Sequence, residues 1–177
     1  KLFAAMKSAH LSVELNQEYV KQWAWEGRTP VSYDQFYFFG KQSRRETSLF
    51  GKVDFVVTDA PVLLTAYYAQ VFGTAHQATC FRTMALTYLD MAKQGGHEHK
   101  HYFLKRLKPY DQRGRFQNED EARKVDEELR RYVKEMGLDI TEVHGDDKGV
   151  RDILGAEGCL PPSKKLSEYA DPYSDLD

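Results

Sequence analysis

Two carboxylates sit where a chain of alternating strands and helices would present reacting groups. Glu18 comes just after the short strand-like stretch 12–15, within Gln17-Glu18-Tyr19, and Asp59 ends the β-branched and aromatic run 53–58, within Asp59-Ala60-Pro61. In an open parallel sheet, ligands gather at the carboxyl ends of the strands. A glutamate there can take the proton of a substrate hydroxyl as its oxygen attacks a phosphoryl group. An aspartate on a rigid strand can hold a water of a magnesium ion. Both residues also have plainer readings. Asp59 can cap a helix that begins near Val62, and a glutamate at a helix start complements the helix dipole.

A second group is cationic. Lys100, Lys105, Arg106, Lys108, Arg113 and Arg115 are interrupted by one acid, Asp111, with Gly114 between the last two arginines. A loop of this kind that closes over phosphoryl oxygens neutralises their charge and excludes water. A solvated basic loop or a nucleic-acid patch has the same composition. After the last strand comes His144-Gly145-Asp146-Asp147. An aromatic-rich helix carries Gln35, Tyr37 and Gln42, which offer stacking and amide hydrogen bonds to a base, although Phe and Tyr at helical spacing also make core. Tyr19 and Arg45 complete the candidate substrate contacts. His97, His99 and His101 alternate, so an extended chain puts them on one face, but no Cys or acid is spaced to complete a metal shell.

Strands and helices in alternation are needed to position these groups, and the pattern supplies them. Residues 2–6 read as helix, 12–15 as strand, and 17–25 as a turn and helix with Tyr19, Val20, Trp23 and Ala24 on its apolar face. After Thr29-Pro30 a helix runs to about Phe50, with Phe36, Tyr37 and Phe39 facing inward and Lys41, Arg44, Arg45 and Glu46 facing water. The run 53–58 predicts a strand buried on both faces, hence parallel. Helices follow over 62–71 and 79–93, then a strand-like stretch at 101–107 and a basic loop over 108–116. Asn118 and Glu121 form a capping box for a helix whose stripe is Ala122, Val125, Leu129, Tyr132, Val133 and Met136. Gly137 ends it, and 140–143 is a last strand. Such alternation predicts a three-layer α/β/α domain around a parallel sheet over residues 1–154, with a proline-containing acidic tail at 155–177.

At 177 residues and 41% apolar content the chain is one ordinary domain that can bury a core. Lysine and arginine number 25 against 27 acids, a net charge of −2, which excludes a generally basic nucleic-acid coat. Cys80 and Cys159 are in neither a metal nor a redox spacing, which fits reduced thiols. With no long apolar run and no charged leader before an apolar stretch, the expected setting is the cytoplasm, with no membrane contact.

Several stretches, in order and spacing, resemble the NadR-type nicotinamide riboside kinases and their phage-encoded P-loop kinase relatives. They are QEYV at 17–20, FGKQ at 39–42, VDFVVTDAPVLLTAYY at 53–68, HYFLKRLKPYDQRGRFQ at 101–117 and ITEVHGDD at 140–147. The similarity runs from about Val13 to Leu154. It implies a P-loop NTPase fold with a five-stranded parallel sheet, and transfer of phosphate from ATP with Mg2+ to a hydroxyl of a nucleoside or nucleotide, with DNA as an alternative acceptor. If phage-encoded, the protein would work in the host cytoplasm. By the same resemblance Glu18 is the base, Asp59 the residue near magnesium, and Arg113 and Arg115 the lid arginines within about 107–118. Arg106 and Lys108 are further lid partners, and Asp146 lies near the adenine. The sequence departs from the family at one place: no G-x-x-x-x-G-K-[ST] occurs. Since residues 2–6 open a helix with no cap before it, a segment upstream is expected, and with it an intact mass above 20.5 kDa.

Overall fold

The computed structural model of the chain describes residues 1–107 and 118–159. Lys108, Arg113 and Arg115, most of the expected lid, and the tail beyond residue 159 lie outside the described residues. The described part is a mixed α/β domain with short parallel strands. β1 (Val13–Asn16) pairs with β2 (Phe55–Thr58), with Val13 opposite Phe55 and Asn16 opposite Thr58. β3 (Tyr102–Lys105) pairs with β4 (Thr141–His144), with Tyr102 opposite Thr141 and Lys105 opposite His144. Both pairings are parallel, as crossovers through helices require. Among the described residues the sheet is thus two two-stranded ribbons and not the single expected one. β2 corrects a second expectation. Every one of its residues is half-buried, because a strand with one neighbour keeps an edge and part of each face uncovered.

Helices tie the ribbons together on two sides. On one side α3 (Asp34–Thr47), α4 (Val62–Phe72), α5 (Ala75–Gln94) and α6 (Glu119–Glu135) share a core. Its members include Phe39, Leu63, Ala66, Tyr67, Phe81, Ala85, Tyr132 and Met136. α4 is apolar around most of its circumference and is correspondingly the helix packed among the other three. On the other side α1 (Leu2–Ser8) and α7 (Asp147–Ala156) pack Ala5, Met6, Val150 and Leu154 against Val13, with Phe55 and Val57 alongside. α2 (Val20–Trp25) is a short bridge that buries Trp23. Burying each large side chain contributes about 1.5–3 kcal/mol, so the two clusters are the main source of cohesion.

The helix ends follow local chemistry. Asn118 accepts from the backbone of Glu121 while the Glu121 side chain accepts from the backbone of Asn118, the expected capping box. A second box, Thr74 with Gln77, starts α5 four residues before the periodicity suggests. α7 was not expected at all. Asp146 begins it, and Gly149 seats it, because a Cβ there would lie 1.8 Å from the carbonyl oxygen of His144. Gly149→Ala must therefore lift α7 from the end of β4. The expected cost is about 1–3 kcal/mol, read as a lower urea midpoint with an unchanged slope. An unchanged midpoint would mean that α7 does not sit on β4 as described.

Candidate functional site

β1 and β2 end side by side. Because Asn16 is opposite Thr58, the residues that follow, Gln17 and Glu18 on one strand and Asp59 on the other, emerge at the same rim. The Asp59 amide donates to the Asn16 carbonyl at 3.4 Å and continues the ladder one step past the strand. At that rim an open cleft of about 360 Å³ is lined by Gln17, Glu18, Tyr19, Lys21, Gln22, Trp25, Arg45 and Asp59. Four of the candidate residues, Glu18, Tyr19, Arg45 and Asp59, meet there from three separate segments. The plainer reading of Asp59 does not hold. α4 begins after Pro61 and makes no side-chain cap bond, so the Asp59 carboxylate faces the cleft without capping a helix.

The cleft wall is aromatic and cationic. Arg45 donates to the Gln17 carbonyl at 3.3 Å and lays its guanidinium 4.9 Å from the Tyr19 ring centre. Lys41 approaches the Tyr19 and Tyr37 rings at 5.8 and 5.6 Å. The Tyr19 and Tyr37 hydroxyls share a 2.8 Å hydrogen bond, which holds the Tyr37 phenol above its ordinary pKa. Lys21, Gln22 and Trp25 were not picked out from the sequence. Their signal was present: Lys21 and Trp25 are four apart, so they share a face of α2 next to Glu18.

Other candidates fall elsewhere. Gln35 and Gln42 are 5% and 4% exposed and do not line the cleft, which corrects their expected contact with a base. Gln42 instead donates to the Thr58 hydroxyl at 3.1 Å, Thr58 donates to the Asn16 carbonyl at 3.2 Å, and Asn16 donates to the Gln42 carbonyl at 3.5 Å. This buried ring fastens α3 to both strand ends beneath the cleft. Arg106 forms a two-bond pair with Asp126 of α6, at 2.5 and 2.9 Å, so α6 anchors it. Asp146 accepts from the amides of Lys148 and Gly149 at 3.0 and 3.2 Å, which makes it the cap of α7.

Phe36 and Tyr37 are exposed, while Phe38 and Phe39 are the buried pair of α3. Glu46, expected to face water, is 3% exposed and is the hub of a network. Tyr88 donates to it at 2.9 Å and His99 Nε2 contacts the same oxygen. The His99 Nδ1 atom is buried without a partner among the described residues. His97 stacks on Phe50 at 4.1 Å, and burial lowers the pKa of His101. Among the described residues no group of three or more His, Cys, Asp or Glu side chains is placed to hold a metal ion.

A site using one carboxylate remains compatible with magnesium, which commonly keeps its waters and takes one or two carboxylates along with phosphate oxygens. Asp59 fits that pattern. Beneath it, the Asn16 Oδ1 atom is buried with no hydrogen-bond partner among the described residues. No described helix is long and apolar enough to cross a membrane. The chain matches no family model, no curated protein and no solved structure.

Proposed function

We propose that the protein is a phosphotransferase of the P-loop kinase kind that uses ATP and magnesium to phosphorylate a hydroxyl of a nucleoside, nucleotide or related group. The observation that carries this reading is the meeting of Glu18 and Asp59, from the ends of adjacent parallel strands, in one cleft with Lys21 and Arg45. A general acid cleft would need no cation, and a simple anion site would need no pair of carboxylates. Both together suit a hydroxyl that loses a proton beside a group that carries negative charge.

Each residue then has a separate task. Glu18 accepts the proton of the acceptor hydroxyl while that oxygen forms its bond to phosphorus and the donor's bridging P–O bond breaks. Lys21 and Arg45 orient the acceptor, and the Tyr19 ring keeps the Arg45 guanidinium in place. Asp59 would hold magnesium, which when bound supplies charge neutralisation for the transferred group. The described residues form no glycine-rich phosphate cradle, so none of them is assigned to the triphosphate.

The test is incubation of the natural full-length protein with labelled ATP, magnesium and a panel of nucleosides, nucleotides and DNA. Label should reach at least one acceptor, and Asp59→Ala should lower the yield about ten- to a hundredfold. If no acceptor is labelled and Asp59→Ala changes no measurable property, the protein is a binding or scaffold module and the proposal fails.

A further inference from the structure

The exposed aromatic residues are concentrated beside the cleft. Tyr33 is 79% exposed and Trp25 65%, and Tyr37 is also open to solvent. Monomeric proteins rarely leave aromatic rings of this size uncovered in one place unless something stacks on them. Tyr33, Tyr37, Lys41 and Arg45 follow one another at four-residue steps along α3, so they form one slowly turning stripe with a rise of about 6 Å per step. Side-chain contacts make the stripe continuous with the cleft: Lys41 approaches Tyr37 and Tyr19, and Arg45, over Tyr19, lines the cleft itself.

The acids on this surface outside the cleft are each held by a neighbour. Glu26 is engaged by Arg28 at 3.5 Å and by Gln22 at 2.8 Å, and Asp34 accepts from the Val31 amide at 2.8 Å. Lys21, Lys41 and Arg45 form no ion pair among the described residues. Rings open on a face, interleaved with unpaired cations and leading to a reactive pocket, are the chemistry that holds unpaired bases and their phosphates. A duplex hides its base faces and would find no use for Tyr33 or Trp25.

The geometry points to a track for single-stranded nucleic acid along α3, with Tyr33 and Tyr37 as stacking platforms, Lys41 and Arg45 as phosphate contacts, and the cleft at its end. This rests on the proposed function in one respect: it makes the acceptor hydroxyl part of a polynucleotide. Binding itself needs no ATP, so the two ideas fail separately.

The experiment is fluorescence anisotropy with a short labelled single-stranded DNA, the same sequence as RNA, and its DNA duplex, each titrated with full-length protein at several salt concentrations. Free nucleoside is titrated in parallel through the fluorescence of Trp25 in a Trp23→Phe background. The single strand should bind more tightly than the duplex, with a log–log salt slope of about −1.4 for two phosphate contacts. Tyr33→Ala should weaken strand binding roughly 5- to 150-fold, and Lys41→Ala should make the slope shallower by about 0.7. Tyr33 does not line the cleft, so Tyr33→Ala should leave the response to free nucleoside unaltered. Comparison of the two single strands identifies DNA or RNA as the natural form. A single strand that does not bind, a duplex that binds equally well, or unchanged affinity in both variants would overturn the inference. A strand that binds while no nucleoside, nucleotide or DNA accepts label from ATP would support the track and remove the kinase reading.

Discussion

Glu18→Gln is expected to lower kcat for phosphoryl transfer by about 10²–10⁴-fold, the usual contribution of a positioned general base. The amide keeps the size and can still accept a hydrogen bond, so the acceptor should bind with nearly unchanged affinity and the loss should fall on kcat. Any change in stability should be small beside that of a core substitution. Glu18 lies in the loop between β1 and α2, outside both core clusters. An equal fall in affinity and rate would instead make Glu18 a binding residue. Unchanged kcat would remove it from the chemistry.

The rule that places ligands at strand ends is what made this pair legible. Gln17-Glu18-Tyr19 and Asp59-Ala60-Pro61 both follow strand-like stretches, and once those stretches pair in parallel with Asn16 opposite Thr58 the carboxylates must share a rim. The helix after Asn118 was legible for a similar reason, since its cap, stripe and terminal glycine agree. The reading failed where sequence carried no period or where the deciding partner was distant. Phe36-Tyr37-Phe38-Phe39 is four aromatic residues in a row, and such a run does not say which two face inward. α7 has Val150, Ile153 and Leu154 at helical spacing, but it is short and was hidden behind the expectation of a ligand loop at Asp146. α5 begins at a Thr-x-x-Gln box that went unused in favour of apolar periodicity. Gln42 looked free to reach a base because nothing local reveals that Thr58 would claim its amide.

Glu46 is the clearest case of a residue whose role no local pattern could reveal, and its removal should have a large effect on the fold. It is one residue beyond Arg45 and reads as the solvent face of α3, yet its carboxylate is buried between Tyr88 of α5 and His99, 53 residues away, ahead of β3. Burial first, and then the Glu46 charge, push the Tyr88 phenol far above its ordinary pKa. Glu46→Ala would leave the Tyr88 hydroxyl and His99 Nε2 buried without their acceptor. Leaving two such groups unsatisfied costs about 2–6 kcal/mol, at about 1–3 kcal/mol each, which for a domain of this size lowers Tm by roughly 4–24 °C. His99→Ala should be less costly after Glu46→Ala than before it, because the contact can be lost only once. The effect should also reach the cleft. Glu46 fixes the last turn of α3, and that turn carries the Arg45 that donates to Gln17 and covers Tyr19. At a temperature where Glu46→Ala is still folded, binding read through Trp25 should therefore weaken as well. A variant that melts within about 0.5 kcal/mol of the parent, the range of an ordinary surface substitution, would show that Glu46 is not the fastening between α3, α5 and the entry to β3.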